Sequence, residues 1–177
     1  MSKIKNVLRE EKEIPYYEDI QKRTFIQKIK KVRITLLMLL AYICPLNKLR
    51  VLFNKWRGVK IGEKVYIGMF CFLDNLYPEY IIIGDNASIN TGCMILTHFA
   101  PMKRFEQIFK ANVKPVIISE GAILAIRSTV LPGVTIGKNA VVSAGSVVDK
   151  NIPAYTLVRG NPAKKVSDFE IIMKNQS

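Results

Sequence analysis

From residue 61 onward the chain places an aliphatic side chain at every sixth position. Hexads that begin at 61, 67, 83, 89, 118, 124, 130, 136, 142 and 148 open with Ile61, Ile67, Ile83, Ile89, Ile118, Leu124, Val130, Ile136, Val142 and Val148. Their fifth places hold Val65, Cys71, Ala87, Cys93, Ala122, Ser128, Val134, Ala140, Ser146 and Ile152, all small or β-branched. Their fourth places hold Gly or Asn in seven of ten: Asn86, Gly92, Gly121, Gly133, Asn139, Gly145 and Asn151. An amphipathic helix repeats every 3.6 residues and a half-buried strand every two, so neither produces this column. A six-residue unit predicts one short strand and one corner, and three units close a triangular coil. The first place points inward and stacks on its equivalents, the fifth must be small because the interior is narrow, and the fourth takes a positive φ that Gly and Asn accept.

The repeat is interrupted twice. Four extra residues intrude around Tyr77-Pro78-Glu79, and seventeen between 95 and 118. The longer insertion predicts a protruding loop over 99–115, and a loop of that length on a regular coil is usually functional. Removing the shorter one sets Cys71 and Cys93 one coil apart in the inward column, as packed small hydrophobes.

Residues 1–57 carry a different pattern and predict a basic, apolar helical region ahead of the coil at 58–160 and a tail at 161–177. Its densest apolar run, Ile34 to Leu46, is thirteen residues, or about 20 Å of helix, too short to span a bilayer. Lys28, Lys30, Lys31 and Arg33 flank it on one side and Lys48, Arg50, Lys55 and Arg57 on the other. Two readings stand: a helix packed on the fold or a partner subunit, with solvated basic ends, or a helix within residues 20–57 lying on an anionic membrane.

Charge sharpens this division. The net charge of the 177 residues is +13, of which residues 1–60 carry 15 basic and 5 acidic side chains. The basic character is therefore local. Without helix-turn-helix or zinc-finger spacing, nucleic acid is not an expected partner. Three cysteines and a polar opening that does not read as a secretory leader predict a reduced, cytoplasmic setting, peripheral to the inner face of the membrane on the second helical reading.

The hexads Ile136-Gly137-Lys138-Asn139-Ala140-Val141 and Val142-Ser143-Ala144-Gly145-Ser146-Val147, with the closing Gly160-Asn161-Pro162-Ala163-Lys164, resemble the hexapeptide-repeat acyltransferases, most closely the maltose, galactoside and capsule or lipopolysaccharide sugar O-acetyltransferases. The resemblance covers roughly residues 58–166. It implies an all-β fold class: a left-handed parallel β-helix, here with the N-terminal helical region and a short C-terminal helix. It also implies a homotrimer with active sites between subunits, acetyl-coenzyme A as donor and a carbohydrate acceptor, placing the protein in polysaccharide biosynthesis.

His98, the only histidine, stands at the corner where the long loop leaves the coil. It matches the family's catalytic histidine, and an imidazole suits removal of a hydroxyl proton as oxygen attacks a thioester. The resemblance places Asp74 and Asn75 where related enzymes carry a pair of acids that meets the acceptor sugar; Asn75 departs from that pair. A turn-forming Asp-Asn pair accounts for both equally well. On the donor side it places Ile126 beside the thioester, Ala144 against the pantetheine arm, and Asp149 and Lys150 where family members have Thr-Lys. Lys150 and Lys164 are candidate partners for the phosphates of coenzyme A, or solvated surface lysines. Arg127 occupies a corner usually given to Gly or Asn, and nothing in the sequence accounts for it.

N-acetylation of an amino sugar and a non-catalytic β-helix scaffold remain as alternatives. A serine acetyltransferase has a much longer helical domain. A zinc-dependent carbonic-anhydrase-like β-helix needs several histidines, so no metal is expected.

Overall fold

The computed structural model describes residues 11–16 and 25–170. Each hexad forms a strand of two or three residues, and consecutive strands pass to a new face at every corner. One face stacks β2 (Lys60–Ile61), β5 (Ile81–Ile83), β10 (Val116–Ile118) and β13 (Thr135–Ile136) in parallel. The second stacks β3 (Tyr66–Ile67), β6 (Ser88–Ile89), β11 (Ile123–Leu124), β14 (Val141–Val142) and β16 (Thr156–Gly160). The third stacks β4 (Phe72–Leu73), β7 (Met94–Ile95), β12 (Thr129–Val130) and β15 (Val147–Val148). These three parallel sheets, visited in cyclic order, fit a β-helix.

The register follows the aliphatic column. Ile61, Ile83, Ile118 and Ile136 align on one face, and Ile67, Ile89, Leu124 and Val142 on the next. Leu73, Ile95, Val130 and Val148 align on the third, so Leu73 and Ile95 belong to the column as well. Every first-place residue except the half-buried Ile61, and every fifth-place residue, is buried. Full burial of each first-place Ile, Leu or Val contributes about 1.5–3 kcal/mol. Cys71 and Cys93 lie in this core as expected, whereas Cys44 is half-buried. A positive φ occurs at nine of the ten fourth places, including Lys64, Phe70 and Arg127, which the composition of that column did not predict; Asn151 is the exception. Arg127 lies over Gly92, where an added Cβ would sit 3.2 Å from its Cγ. Coil closure therefore sets these corners, and Gly is needed where a neighbouring side chain crosses.

Two helices precede the coil, α1 (Phe25–Ile43) and α2 (Asn47–Arg57), as the apolar pattern predicts. The part of that helical prediction at 1–10 and 17–24 lies outside the described residues. Residues 11–16 correct it: Lys12–Glu13 form a strand, β1, that joins the long loop. Among the described residues, no helix is long and apolar enough to cross a membrane.

A second correction concerns the basic residues. Arg50 and Arg57, expected as solvated flanking charges, are buried. The first coil is an edge of all three sheets, and edges leave backbone groups without partners. α2 caps it. Asn47 donates to the Val65 carbonyl (3.1 Å) and accepts from the Ile67 N–H (2.9 Å), like one more strand residue. Arg50 donates to the carbonyls of Ile67 (2.6 Å) and Cys44 (2.7 Å).

At the other end, the expected tail is in part a strand. β17 (Ala163–Asp168) turns back antiparallel on β16. Glu170, the last described residue, is helical, and the rest of the expected short C-terminal helix, at 171–177, lies outside the described residues.

Candidate active site

The two interruptions of the repeat meet at one point. Pairing of Leu73 with Ile95 sets the end of β4 beside the end of β7, so the strand entering the short insertion and the strand entering the long one leave the prism together. Asp74 closes the first and Thr97-His98 open the second. His98 lies on β8 (His98–Phe99), which pairs antiparallel with β9 (Asn112–Val113), and β9 pairs in turn with β1. Ile14, Tyr80, Ala111 and Val113 bury a small cluster under this sheet, with Tyr16, Tyr77 and Ala100 against it. The long loop is thus a closed hairpin with a packed base. Its outer part, Met102 to Lys110, is exposed, and Phe109 there packs edge-on against Phe99 of β8.

Asp74 Oδ2 lies 2.5 Å from His98 Nδ1 and also accepts the Thr97 N–H at 2.9 Å. Its Oδ1 accepts the N–H groups of Leu76 (2.8 Å) and Tyr77 (3.2 Å). Burial opposes ionisation of this carboxyl. The bond to His98, its charge and the Thr97 and Leu76 amides outweigh that and hold the pKa down at about 2. An ionised carboxylate only accepts, so Nδ1 carries the proton and Nε2 is left as the basic nitrogen. The imidazole side chain is 23% exposed, and the Tyr77 ring meets it edge-on at 5.6 Å. Asp74 itself is fully buried. Its carboxylate, expected to meet an acceptor sugar, is here enclosed by the His98 ring and the amides of Thr97, Leu76 and Tyr77.

Behind the dyad sits Arg57. Its Nη2 donates to the carbonyls of Leu73 and Asp74, both at 2.8 Å, and its Nη1 to Asn54 Oδ1 at 2.8 Å. Burial lowers its pKa to about 10, with the Asp74 charge acting in the opposite direction. It stays cationic at neutral pH. Arg57, Thr97 and Tyr77 were missed from sequence, because no local pattern ties them to His98.

The remaining expected residues are spread more widely. Asn75, next to the dyad, is half-buried, and its Oδ1 is enclosed without a hydrogen-bond partner. Ile126 and Ala144 are exposed on adjacent coils at the corner between the second and third faces, where the Gly145 N–H meets the Ile126 carbonyl at 2.9 Å. His98 leaves from the far end of the third face, so the chain by itself does not bring these residues to the imidazole. Asp149 and Lys150 are exposed just past β15, on the same edge of the prism as His98 but further along it, and Lys164 is exposed on β17. Among the described residues, no group of three or more His, Cys, Asp or Glu is placed to hold a metal ion.

Residues 115–150 match the family described as bacterial transferase hexapeptide (six repeats). A Bacillus subtilis (strain 168) protein, YvoF, named only provisionally as an acetyltransferase, is 31% identical over 113 residues, 64% of this chain and 62% of its own length. A Staphylococcus aureus (strain COL) protein, named in the same provisional way, is 41% identical over 116 residues, 64% of this chain and 56% of its own. The chain thus spans less than two thirds of the curated relatives it matches. Among solved structures, the hexapeptide-repeat acetyltransferase of Vibrio cholerae O1 biovar eltor complexed with acetyl coenzyme A superimposes with a TM-score of 0.60 at 20% identity, covering 83% of this chain and 91% of that one. A galactoside acetyltransferase in complex with coenzyme A gives 0.62 at 21% identity, covering 91% and 94%. At these identities the likeness is one of fold. The chain resembles the hexapeptide-repeat acyltransferases along its coil.

Proposed function

From that resemblance and the dyad together, we propose that the chain is an acetyl-coenzyme-A-dependent O-acetyltransferase acting on a sugar hydroxyl, with His98 as general base. The observation that carries this is the contact between His98 Nδ1 and the buried Asp74 carboxylate at the mouth of the long loop. It leaves Nε2 free to accept a proton, and a scaffold has no use for it.

The reaction needs no covalent enzyme intermediate. The acceptor hydroxyl gives its proton to Nε2 as its oxygen attacks the thioester carbonyl carbon, and the Asp74 charge stabilises the imidazolium that forms. The tetrahedral intermediate then collapses by cleavage of the C–S bond. The thiolate takes the proton from Nε2, releasing coenzyme A and an acetyl ester. The Ile126 side chain offers no hydroxyl to the oxyanion, so the donor for it is a backbone N–H near that corner.

The coil is left-handed on this reading, and the active protein is a homotrimer. Ile126 and Ala144 sit on a different edge of the prism from His98, so a donor site holding all three is built from two neighbouring subunits. Lys150 and Lys164 then meet coenzyme A phosphates, and the exposed loop with Phe99 and Phe109 walls the acceptor. Asn75, half-buried and beside Asp74 in sequence, is the side chain of the expected acceptor pair that retains some exposure for a sugar hydroxyl.

Thiol release from acetyl-coenzyme A across a panel of sugars, with and without His98→Ala, tests this. The expected loss is about 10²–10⁴-fold. Activity unchanged by the substitution removes the mechanism, and absence of donor binding returns the chain to the scaffold class.

A further inference from the structure

The helical hairpin is built inside out. α2 turns Arg50, Asn54 and Arg57 inward, while Leu49, Leu52 and Trp56, at helical spacing, are 38%, 36% and 56% exposed. α1 does the same with Ile29, Val32, Leu36, Leu39, Leu40 and Ile43, each about half exposed. These fall on one helical face, opposite the buried Ile34 and Ala41. Helices of a water-soluble fold turn such a stripe to the core, and an apolar surface this wide marks an interaction site.

Charge identifies the partner. Every ionisable acid or base from residue 20 to 62 other than Tyr42 and Cys44 is Lys or Arg, and no Asp or Glu interrupts the stretch. Lys31 and Arg33 stand exposed beside the stripe of α1, and Lys48 and Lys55 along the flank of α2. A second copy docking face to face, this surface on the same surface, would set cations against cations with no acid to offset them. An anionic bilayer supplies both acyl chains for the stripe and phosphates for its rim.

We propose that the α1–α2 hairpin is a docking surface for an anionic lipid bilayer, lying in the interface with its apolar stripe at acyl-chain depth. It does not span, since neither helix is long and apolar enough. This inference is independent of the acetyl-transfer reading and is measured without donor or acceptor.

Trp56 is the only tryptophan of the chain and lies on the stripe, so it reports directly. The full chain is mixed with phosphatidylcholine vesicles, with or without phosphatidylglycerol. With phosphatidylglycerol present, Trp56 emission is expected to shift to shorter wavelength and to be quenched by brominated acyl chains, and added salt reverses both. Lys48→Ala with Lys55→Ala lowers the partition coefficient about thirtyfold, taking the usual contribution of a cation near such a surface. Leu36→Gln with Leu40→Gln, both at exposed positions, abolishes flotation while circular dichroism stays unchanged. Three outcomes overturn the proposal: equal binding to both vesicle types, Trp56 emission that is already blue and insensitive to vesicles, or a change in sedimenting mass on Leu36→Gln with Leu40→Gln. The last two mean that the stripe is covered by the chain itself or by a second copy.

Discussion

Arg57 donates its Nη2 to the backbone carbonyl of Asp74, the residue whose carboxylate holds His98. One buried guanidinium thereby ties the capping helix to the strand end that carries the dyad. It binds the backbone of that strand rather than the carboxylate, which leaves both Asp74 oxygens for His98 and the three amides. Substituting Arg57→Met leaves the carbonyls of Leu73 and Asp74 and the Asn54 Oδ1 buried without these partners. At about 1–3 kcal/mol for each of the three buried groups left unsatisfied, a loss of about 3 kcal/mol or more is expected in urea unfolding. The variant that still folds should lose kcat more than it raises the KM for the donor, because what shifts is the dyad. Arg57→Lys, whose one ammonium nitrogen can serve both carbonyls as Nη2 does but leaves Asn54 Oδ1 without the Nη1 donor, should recover part of both.

Asp74→Asn tests the tautomer. Asn can present its amide N–H to Nδ1, which moves the imidazole proton to Nε2 and removes the base. On the proposed mechanism kcat falls about 10²-fold or more, with the KM for acetyl-coenzyme A nearly unchanged. Equal activity in steady-state assays would mean that the carboxylate only packs.

The same carboxylate predicts a pH dependence of stability. Its pKa in the folded chain is about 2, against an ordinary 3.8. A depressed carboxylate contributes stability above its unfolded pKa and loses it as pH falls toward the folded one. The contribution, about 2 kcal/mol, should be intact at pH 5 and vanish between about pH 4 and pH 2. Denaturant midpoints of the parent chain should drop through that window more steeply than those of Asp74→Asn.

Gly84 probes the close approach of stacked coils. A Cβ there would lie 2.6 Å from the backbone nitrogen of Glu120 on the next coil. Backbone cannot swing aside as a side chain can, so Gly84→Ala should destabilise by about 1–3 kcal/mol in thermal or urea unfolding.

Ile14 tests the base of the long loop. It is buried with Tyr80, Ala111 and Val113, and its N–H meets the Ala111 carbonyl at 3.1 Å. Ile14→Ala should cost about 2–5 kcal/mol if the cluster unfolds with the rest of the chain. If the loop opens on its own, amide exchange should instead quicken at Val113 and His98 while the coil stays protected.

The prism was legible in the sequence because its cause is local and repeated: each hexad meets the same neighbours one coil away, so the same side-chain volumes recur down the chain. The corners were legible only where Gly or Asn stands. At Lys64, Phe70 and Arg127 coil closure imposes the left-handed conformation against a cost of about 1–2 kcal/mol, and composition carries no trace of it. His98 could be singled out as the lone histidine at a break in the period, and Asp74 could be noticed beside the other break. Their contact could not be read, since it depends on how two insertions of different length leave the same edge. The burial of Arg50 and Arg57 and the addition of β1 to the loop sheet were likewise decided in three dimensions. Open backbone groups on the first coil and on β9 recruit whatever donors and strands the fold brings near, and sequence period does not record that need.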